Sequence, residues 1–315
     1  MAQPNTFTGA QLDRAEDGRR RDPAFLADQI ADPAARAVVI SDAGVRMDGD
    51  ALALVSMAEL AVPAPPVLLG IDATGPVFAV DGGPPPGPGR RPAFLGAGGQ
   101  RGEPAPDAPG FLGLRDAAQS LGQADGGLAA YAAAILNWHR SHGFCSNCAA
   151  ETVVDEGGVV RSCPGCGLQH HPRTDPVVIM LVEDGDRVLL GRQRVWPARR
   201  YSTLAGFVAP GEGLEEAVAR EVFEEVGVTV GAPVYVSSQP WPFPASLMLG
   251  FTVPYAGGEL GGTDRELEDA RWFPREEVAE AARENSWSEP GEGDGLLLPP
   301  RSAIARRLIE GWLGS

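Results

Sequence analysis

Apolar residues fall along this chain in two rhythms. In the first third, short runs such as ARAVVI, PPVLLGI and PVFAV stand between Gly and Pro turns, the pattern of strands. They predict a small β-rich domain over residues 1–130. LAAYAAAILNWHRSHGF then repeats apolar positions at helical spacing from Leu128 to about His139 and runs straight into the cysteines, so a helix is expected to connect two domains. From Asp175 onward, PVVIMLVE, RVLLGR, PVYVSS and SLMLGFTVPY read as strands with an acidic helix among them, an alternation that suggests an α/β sandwich. The expected division is therefore 1–130, then 131–174 with the connecting helix and the cysteines, then 175–315. Asp81–Gly110 is too rich in Pro and Gly to pack regularly and reads as a loop, with Arg90 and Arg91 solvated or available to a phosphate.

Composition narrows this picture. With 315 residues and 43% hydrophobic content the chain can bury a substantial core. Its formal net charge is −16 and all its cationic side chains are arginine, which argues against broad electrostatic binding to nucleic acid. A phosphate substrate would then need local cations, from arginines or from metals. No apolar run reaches the ~18 residues of a membrane span. The first residues lack a secretory apolar segment, and GWLGS at the end carries no retention or peroxisomal signal, so a soluble, cytoplasmic protein is expected.

The cysteines fall in one window: Cys145 and Cys148, fourteen intervening residues, then Cys163 and Cys166. Two C-x-x-C knuckles at this separation supply four thiolates to one zinc ion. Two disulfides or a redox pair would use the same residues, but a reducing compartment disfavours them. Four thiolates leave no open coordination position, so one structural Zn2+ per chain is expected, and His139, His170 and His171 are not needed as ligands. Zinc ribbons often bind nucleic acid, yet AAETVVDEGGVVRS between the knuckles is more acidic than basic.

GFVAPGEGLEEAVAREVFEEVGV, Gly206 to Val228, sets Gly211 and Gly213 around Glu212 in a turn. Leu214, Ala217, Val218, Val222 and Val226 then lie near one helix face, and Gly227 stands where a C′ glycine ends a helix. Glu221, Glu224 and Glu225 crowd one side, where like charges repel. A solvated acidic face is the commoner outcome of such a cluster; converging carboxylates are also what hard divalent cations require. The segment resembles the Nudix hydrolase signature at each fixed position: Gly206, Glu212, Arg220, Glu221, Glu224, Glu225 and Gly227, with aliphatic Val222 and Val228 in register. The resemblance implies hydrolysis of a nucleoside diphosphate linked to another group, with Mg2+ or Mn2+ held by Glu221, Glu224 and Glu225 and the Ala205 carbonyl. It implies that Arg220 orients the glutamates by ion pairing and that Glu212 braces the loop-to-helix turn.

A Nudix signature leaves the substrate open. The cysteine ribbon before it, the β-rich leading domain and SQPWPFPAS, Ser238 to Ser246, after it together resemble the NADH pyrophosphatase branch, best from Phe111 to Gly311. That resemblance implies cleavage of NAD(H) to AMP and nicotinamide mononucleotide, extends to removal of an NAD cap from RNA, and implies a homodimer. It places a further metal-binding glutamate at Glu266, with Glu268 and Asp269 as substitutes. Three prolines in SQPWPFPAS remove N–H donors. Ser238, Gln239 and Ser246 are therefore expected to reach the nucleotide, with Pro240, Trp241, Pro242, Phe243 and Pro244 forming an apolar wall and Ala245 shorter than the residue the branch suggests. His171 stands where the branch has an aromatic, Phe207 suits base stacking or a core, and Arg115 and Ala305 fall at implied nucleotide contacts. Arg173, Arg306 and Arg307 read as solvated ion pairs; Trp196, Trp272 and Trp287 read as packing residues. Two other readings compete: a Nudix hydrolase of ADP-ribose or diadenosine polyphosphates, and a zinc-ribbon nucleic-acid-binding protein with an inactive hydrolase domain. The latter predicts broken carboxylates and a basic surface, which this sequence lacks.

Overall fold

A computed structural model describes all residues except 1–3, 61–63, 84–108, 262–265, 284–286, 288–294 and 315. Most of the loop expected over Asp81–Gly110, with Arg90 and Arg91, lies outside the described residues. Contacts divide the chain into two mixed α+β units, Met1–Thr174 with Trp241–Ala245, and Asp175–Pro240 with Ser246–Ser315.

In the first unit the run RAVVIS forms the strand Arg36–Ser41, buried along nearly all its length at the centre of a seven-stranded sheet. It pairs antiparallel with Gly44–Asp48 and Leu54–Ser56 and parallel with Pro76–Asp81. Pro76–Asp81 pairs in turn with Val67–Ile71, and Gly44–Asp48 with Phe111–Leu112. The helix Gln123–Ser141 covers this sheet. Its Leu128, Ile135, Leu136 and Trp138 share one core with Val38, Ile40, Val67 and Leu69, so it is a core element of the first unit and not the connector expected from its position. It also starts five residues before Leu128, across Gly126 and Gly127. A Cβ on Gly127 would lie 2.7 Å from Ala10 N and 2.8 Å from Thr8 O, so the glycine that weakens the helical signal admits the N-terminal segment.

The ribbon follows as three short antiparallel strands, Val153–Asp155, Val160–Ser162 and Gln169–His170. A buried polar chain ties it to the helix. His139 Nε2–H donates to Gly158 O at 2.8 Å, and Nδ1 accepts from Arg161 at 2.9 Å. Arg161 donates onward to the Thr152 hydroxyl and carbonyl at 2.7 and 2.8 Å. Burial, aided by the Arg161 charge, pushes the imidazole down to about 4 against the pull of the Gly158 carbonyl, so it is neutral.

The second unit repeats the pairing scheme of the first. Its central strand Asp175–Asp184 pairs antiparallel with Arg187–Gln193 and Leu204–Phe207 and parallel with Ser246–Gly257. Ser246–Gly257 pairs with Val234–Trp241, and Arg187–Gln193 with Leu267–Pro274. The two units differ after the third strand of the scheme: the second inserts the helix Leu214–Val226, whereas the first has the 3-10 turn Met57–Glu59. One face of the second sheet packs on Ala217, Val218, Val222 and Val226 of that helix. The other packs on Arg275–Arg283 and Ile304–Leu313, with Leu308, Ile309 and Trp312 buried. Among the described residues no helix is long and apolar enough to cross a membrane.

Candidate active site

The four cysteine sulfurs lie within 4.8 Å of one another, with Cys145–Cys166 at 3.6 Å and Cys148–Cys163 at 3.4 Å. Zn–S bonds of about 2.3 Å in a regular tetrahedron set sulfurs about 3.8 Å apart. The donor set and its spacing therefore fit one zinc ion in a closed structural site.

The acidic helix is positioned by its ends. Gly213 N–H donates to Glu216 Oε2 at 2.7 Å at the start, and Gly227, at φ 75°, closes it with its N–H on Phe223 O at 2.9 Å. Arg220 organises the polar face. Its Nε and Nη2 reach the two Glu212 oxygens at 2.7 and 2.9 Å, its Nη1 reaches both Glu221 and Glu224 at 2.8 Å, and Nη2 also donates to Phe207 O at 3.0 Å. Glu212 takes a further bond from Ala209 N–H at 3.0 Å, which fastens the turn before the helix. Arg220 and that N–H hold the Glu212 carboxyl down at about 2, and Glu212 first among the carboxylates holds Arg220 firmly protonated.

The carboxylates differ in environment. Glu225 is 4% exposed, whereas Glu224 is on the surface. Glu221 rests on Gly206, where a Cβ would fall 1.8 Å from its carboxyl carbon, so only glycine leaves room for it. Burial raises the Glu221 pKa, Arg220 opposes, and the charges of Glu224 and Glu266 raise it further. A site where negative charge is this costly suits a cation. Gln193 Nε2 holds Glu266 at 3.4 Å, while Glu268 pairs with Arg192 and Asp269 accepts from Tyr201 and Arg271. Glu266 is thus the glutamate whose charge reaches the helix. Ala205, beside Gly206, pairs with Ile179 in the strand Leu204–Phe207. Among the described residues only the four cysteines form a cluster with metal-ligand spacing; the glutamates are drawn to Arg220 and not closed on one point.

The structure redistributes SQPWPFPAS. Its first half, through Trp241, ends the strand Val234–Trp241, and Ser246 opens the next strand. Gln239 is not free to reach a ligand: it is 1% exposed, its Nε2 donates to Ser302 O at 2.7 Å and its Oε1 accepts from Ile304 N–H at 2.8 Å. It caps the C-terminal helix Ile304–Leu313. Trp241 and Phe243 pack as crossed rings 5.1 Å apart, each about 6 Å from Phe7, against the first unit's core. Arg115 sits over both rings, 4.4 Å from that of Phe243, and burial lowers its pKa. Pro242 is buried, Pro240 and Ala245 are half-buried and Pro244 is exposed, its carbonyl accepting from Asn137 at 3.4 Å. This tether escaped sequence reasoning; its signal is one Asn in an otherwise apolar helix run. Ser246 is half-buried, Phe207 is 61% exposed and His171 is exposed. Ala305 is buried in the core. Arg306, expected to be solvated, is 1% exposed and bonds Glu310, Pro299 O and Ala282 O, so it is an internal strut.

The helix, its brace and the glycine cradle define a Nudix hydrolase, and comparison agrees. The chain matches the NUDIX domain over residues 172–291, the NADH pyrophosphatase zinc ribbon domain over 140–170 and the NADH pyrophosphatase-like rudimentary NUDIX domain over 23–138. It is 44% identical over 209 residues to a protein of Stutzerimonas stutzeri named NAD-capped RNA hydrolase NudC, covering 66% of this chain and 70% of that one. It is 42% identical over 218 residues to a human protein named NAD-capped RNA hydrolase NUDT12, covering 66% of this chain but 44% of the human one. A solved Nudix hydrolase from Nitrosomonas europaea is 25% identical, covering 42% of this chain and 78% of its own with a TM-score of 0.38, which carries no weight here. The chain belongs to the NADH pyrophosphatase family of Nudix hydrolases.

Proposed function

We propose that the protein hydrolyses the pyrophosphate of NAD(H) to AMP and nicotinamide mononucleotide and removes NAD 5′ ends from RNA. One observation carries this reading: the acidic positions of the box are intact, and Glu212, Glu221 and Glu224 are gathered on a single guanidinium beside buried Glu225. The names of its relatives support the dinucleotide. In this reading Glu221, Glu224, Glu225 and Glu266, with the Ala205 carbonyl, hold Mg2+ or Mn2+. Cations held there would supply charge neutralisation at the pyrophosphate oxygens and a more acidic water. The chain's own residues prepare that site. Gly206 lets the Glu221 carboxylate approach the strand, and Arg220 keeps Glu221 and Glu224 together despite their repulsion. Glu212 fixes Arg220 and the turn. Water attacks one phosphorus, the bridging P–O bond breaks, and no covalent nucleophile is required.

Substrate contact is proposed for Phe207, His171, Arg115 and the segment Pro240, Trp241, Pro242, Phe243, Pro244, Ala245 and Ser246. Gln239 and Ala305, spent on packing, act as positioning residues. We also infer a homodimer in a cytoplasmic setting, as the resemblance to the NADH pyrophosphatase branch implies. The test is product analysis by chromatography with NADH and Mg2+, comparing the wild type with Glu225→Gln. The wild type should release AMP, and the variant should lose at least about 100-fold in kcat. Rapid cleavage of ADP-ribose without AMP from NADH would overturn the reading.

A further inference from the structure

Trp241 and Phe243 are half-buried, and the segment Trp241–Ala245 groups with the first unit. Their buried side meets a residue that no motif marks. Phe7, 3% exposed, closes a triangle of rings with them. Its centroid lies 6.1 Å from that of Trp241 and 6.0 Å from that of Phe243, those two stand 5.1 Å apart, and the planes cross at 68°, 62° and 69°. Three rings meeting edge to face fix one another's orientation, because turning any one drives its edge into a neighbour. Arg115 lies over Trp241 at 5.6 Å and over Phe243 at 4.4 Å, and Asn137 Nδ2–H donates to Pro244 O at 3.4 Å.

Phe7 is itself held firmly. Its φ of 68° is a left-handed conformation that a non-glycine residue keeps only where its surroundings fix it. Residues 5–13 supply those surroundings. The Thr8 hydroxyl donates to Asn5 O at 2.6 Å and accepts from Gln123 Nε2 at 3.3 Å. Asp13 exchanges both backbone hydrogen bonds with Ile71, at 2.9 and 2.8 Å, which ties the segment to the edge strand of the first sheet. Ala10 and Leu12 pack on the same core as Phe7. Two glycines make room for the segment: a Cβ on Gly70 would lie 2.6 Å from Asp13 O, and one on Gly127 2.7 Å from Ala10 N. Filling a core requires no such conformation, since an apolar residue with ordinary backbone angles would do. The left-handed turn instead aims one ring at two others.

Rings that reorient freely lose that freedom each time a ligand packs on them, and rings fixed in advance do not. Resting on the function proposed above, in which these rings meet the dinucleotide, we propose that Phe7 is a positioning residue for substrate recognition. It sets Trp241 and Phe243 in the orientation that receives the dinucleotide, and residues 5–13 serve to hold Phe7 there. The carboxylate helix belongs to the other unit, so Phe7 acts on binding and leaves the chemical step alone.

The test uses the full protein with Phe7→Ala and Phe7→Leu. Phe78→Ala and Phe78→Leu are the controls, because Phe78 is a phenylalanine of the same unit, 2% exposed, in a core cluster separate from that of Phe7. With NADH and Mg2+, Phe7→Ala should raise KM about tenfold, the worth of two lost ring contacts, while kcat stays within about twofold. Phe7→Leu, which keeps bulk, should raise KM about threefold, and it carries the test if the alanine variant does not fold. The Phe78 variants should lower the melting temperature and leave KM within about twofold. Fluorine NMR of protein labelled with 5-fluorotryptophan, its Trp241 line assigned by Trp241→Phe, reads the ring without substrate: the line should shift or broaden in the Phe7 variants only. An unchanged KM or an unchanged Trp241 line in the Phe7 variants, or equal KM changes in the Phe78 controls, would overturn the inference. A wild type that releases no AMP from NADH would instead overturn the function, leaving the fluorine line to judge whether Phe7 sets the ring.

Discussion

Replacing Gln239 by Leu separates a structural role for SQPWPFPAS from a substrate-contacting one. The Gln239 amide sits at 1% exposure and makes two hydrogen bonds, to Ser302 O at 2.7 Å and from Ile304 N–H at 2.8 Å. Leucine fills a similar volume but leaves that donor and that acceptor buried with nothing in their place. Lost hydrogen bonds of about 1 kcal/mol each, plus the desolvation cost of the stranded groups, give about 3 kcal/mol of destabilisation. For a unit of this size that lowers the melting temperature by about 6–12 °C. Urea unfolding and scanning calorimetry would measure it, alongside steady-state kinetics with NADH. KM at a temperature where the variant is folded should move by less than about twofold, because the amide faces the helix start. A native melting temperature combined with a KM raised tenfold would refute this reasoning and return Gln239 to the substrate.

Other consequences are equally open to measurement. Gly206→Ala drives a methyl to 1.8 Å from the Glu221 carboxyl carbon, so kcat should fall about 100-fold with the fold retained, read by kinetics and circular dichroism. Stripping zinc with a chelator should lower the melting temperature of the ribbon's unit while the Nudix helix keeps its ellipticity; a zinc-free protein that melts like the native one would contradict the closed four-thiolate site. His139 is held neutral, its pKa lowered from 6.5 to about 4, so it contributes fully above pH 6.5 and loses that contribution as pH falls from 6.5 toward 4. The loss amounts to about 2–3 kcal/mol at most for this half-buried ring. His139→Gln should flatten that part of the stability profile relative to the wild type.

The parts that were legible in the sequence are those written locally. RAVVIS and PVVIMLVE became central strands because a continuous apolar run buried on both faces needs no distant partner to be recognised. The Nudix signature is readable because its glutamates, arginine and glycines sit within one strand end, one turn and one helix. What failed to show depends on residues far apart in the chain. Gly127 reads as a helix breaker until Thr8 and Ala10 are seen against it. Trp241 and Phe243 read as an apolar wall from their own segment, but their packing on Phe7, more than two hundred positions earlier, leaves no local trace. Arg306 reads as a surface cation until the carbonyls of Ala282 and Pro299 close over it.

The two units share a strand scheme, and among the described residues only the second carries a helix with carboxylates after its third strand. Such repetition is what a tandem duplication leaves when one copy keeps the chemistry and the other is released from it. Substitutions in the released copy answer only to folding, so Arg36–Asp81 should diverge among relatives faster than Asp175–Gly257, while hydrophobic alternation persists in both. An alignment in which the two halves change at the same rate would mean that the first copy has acquired a constraint of its own.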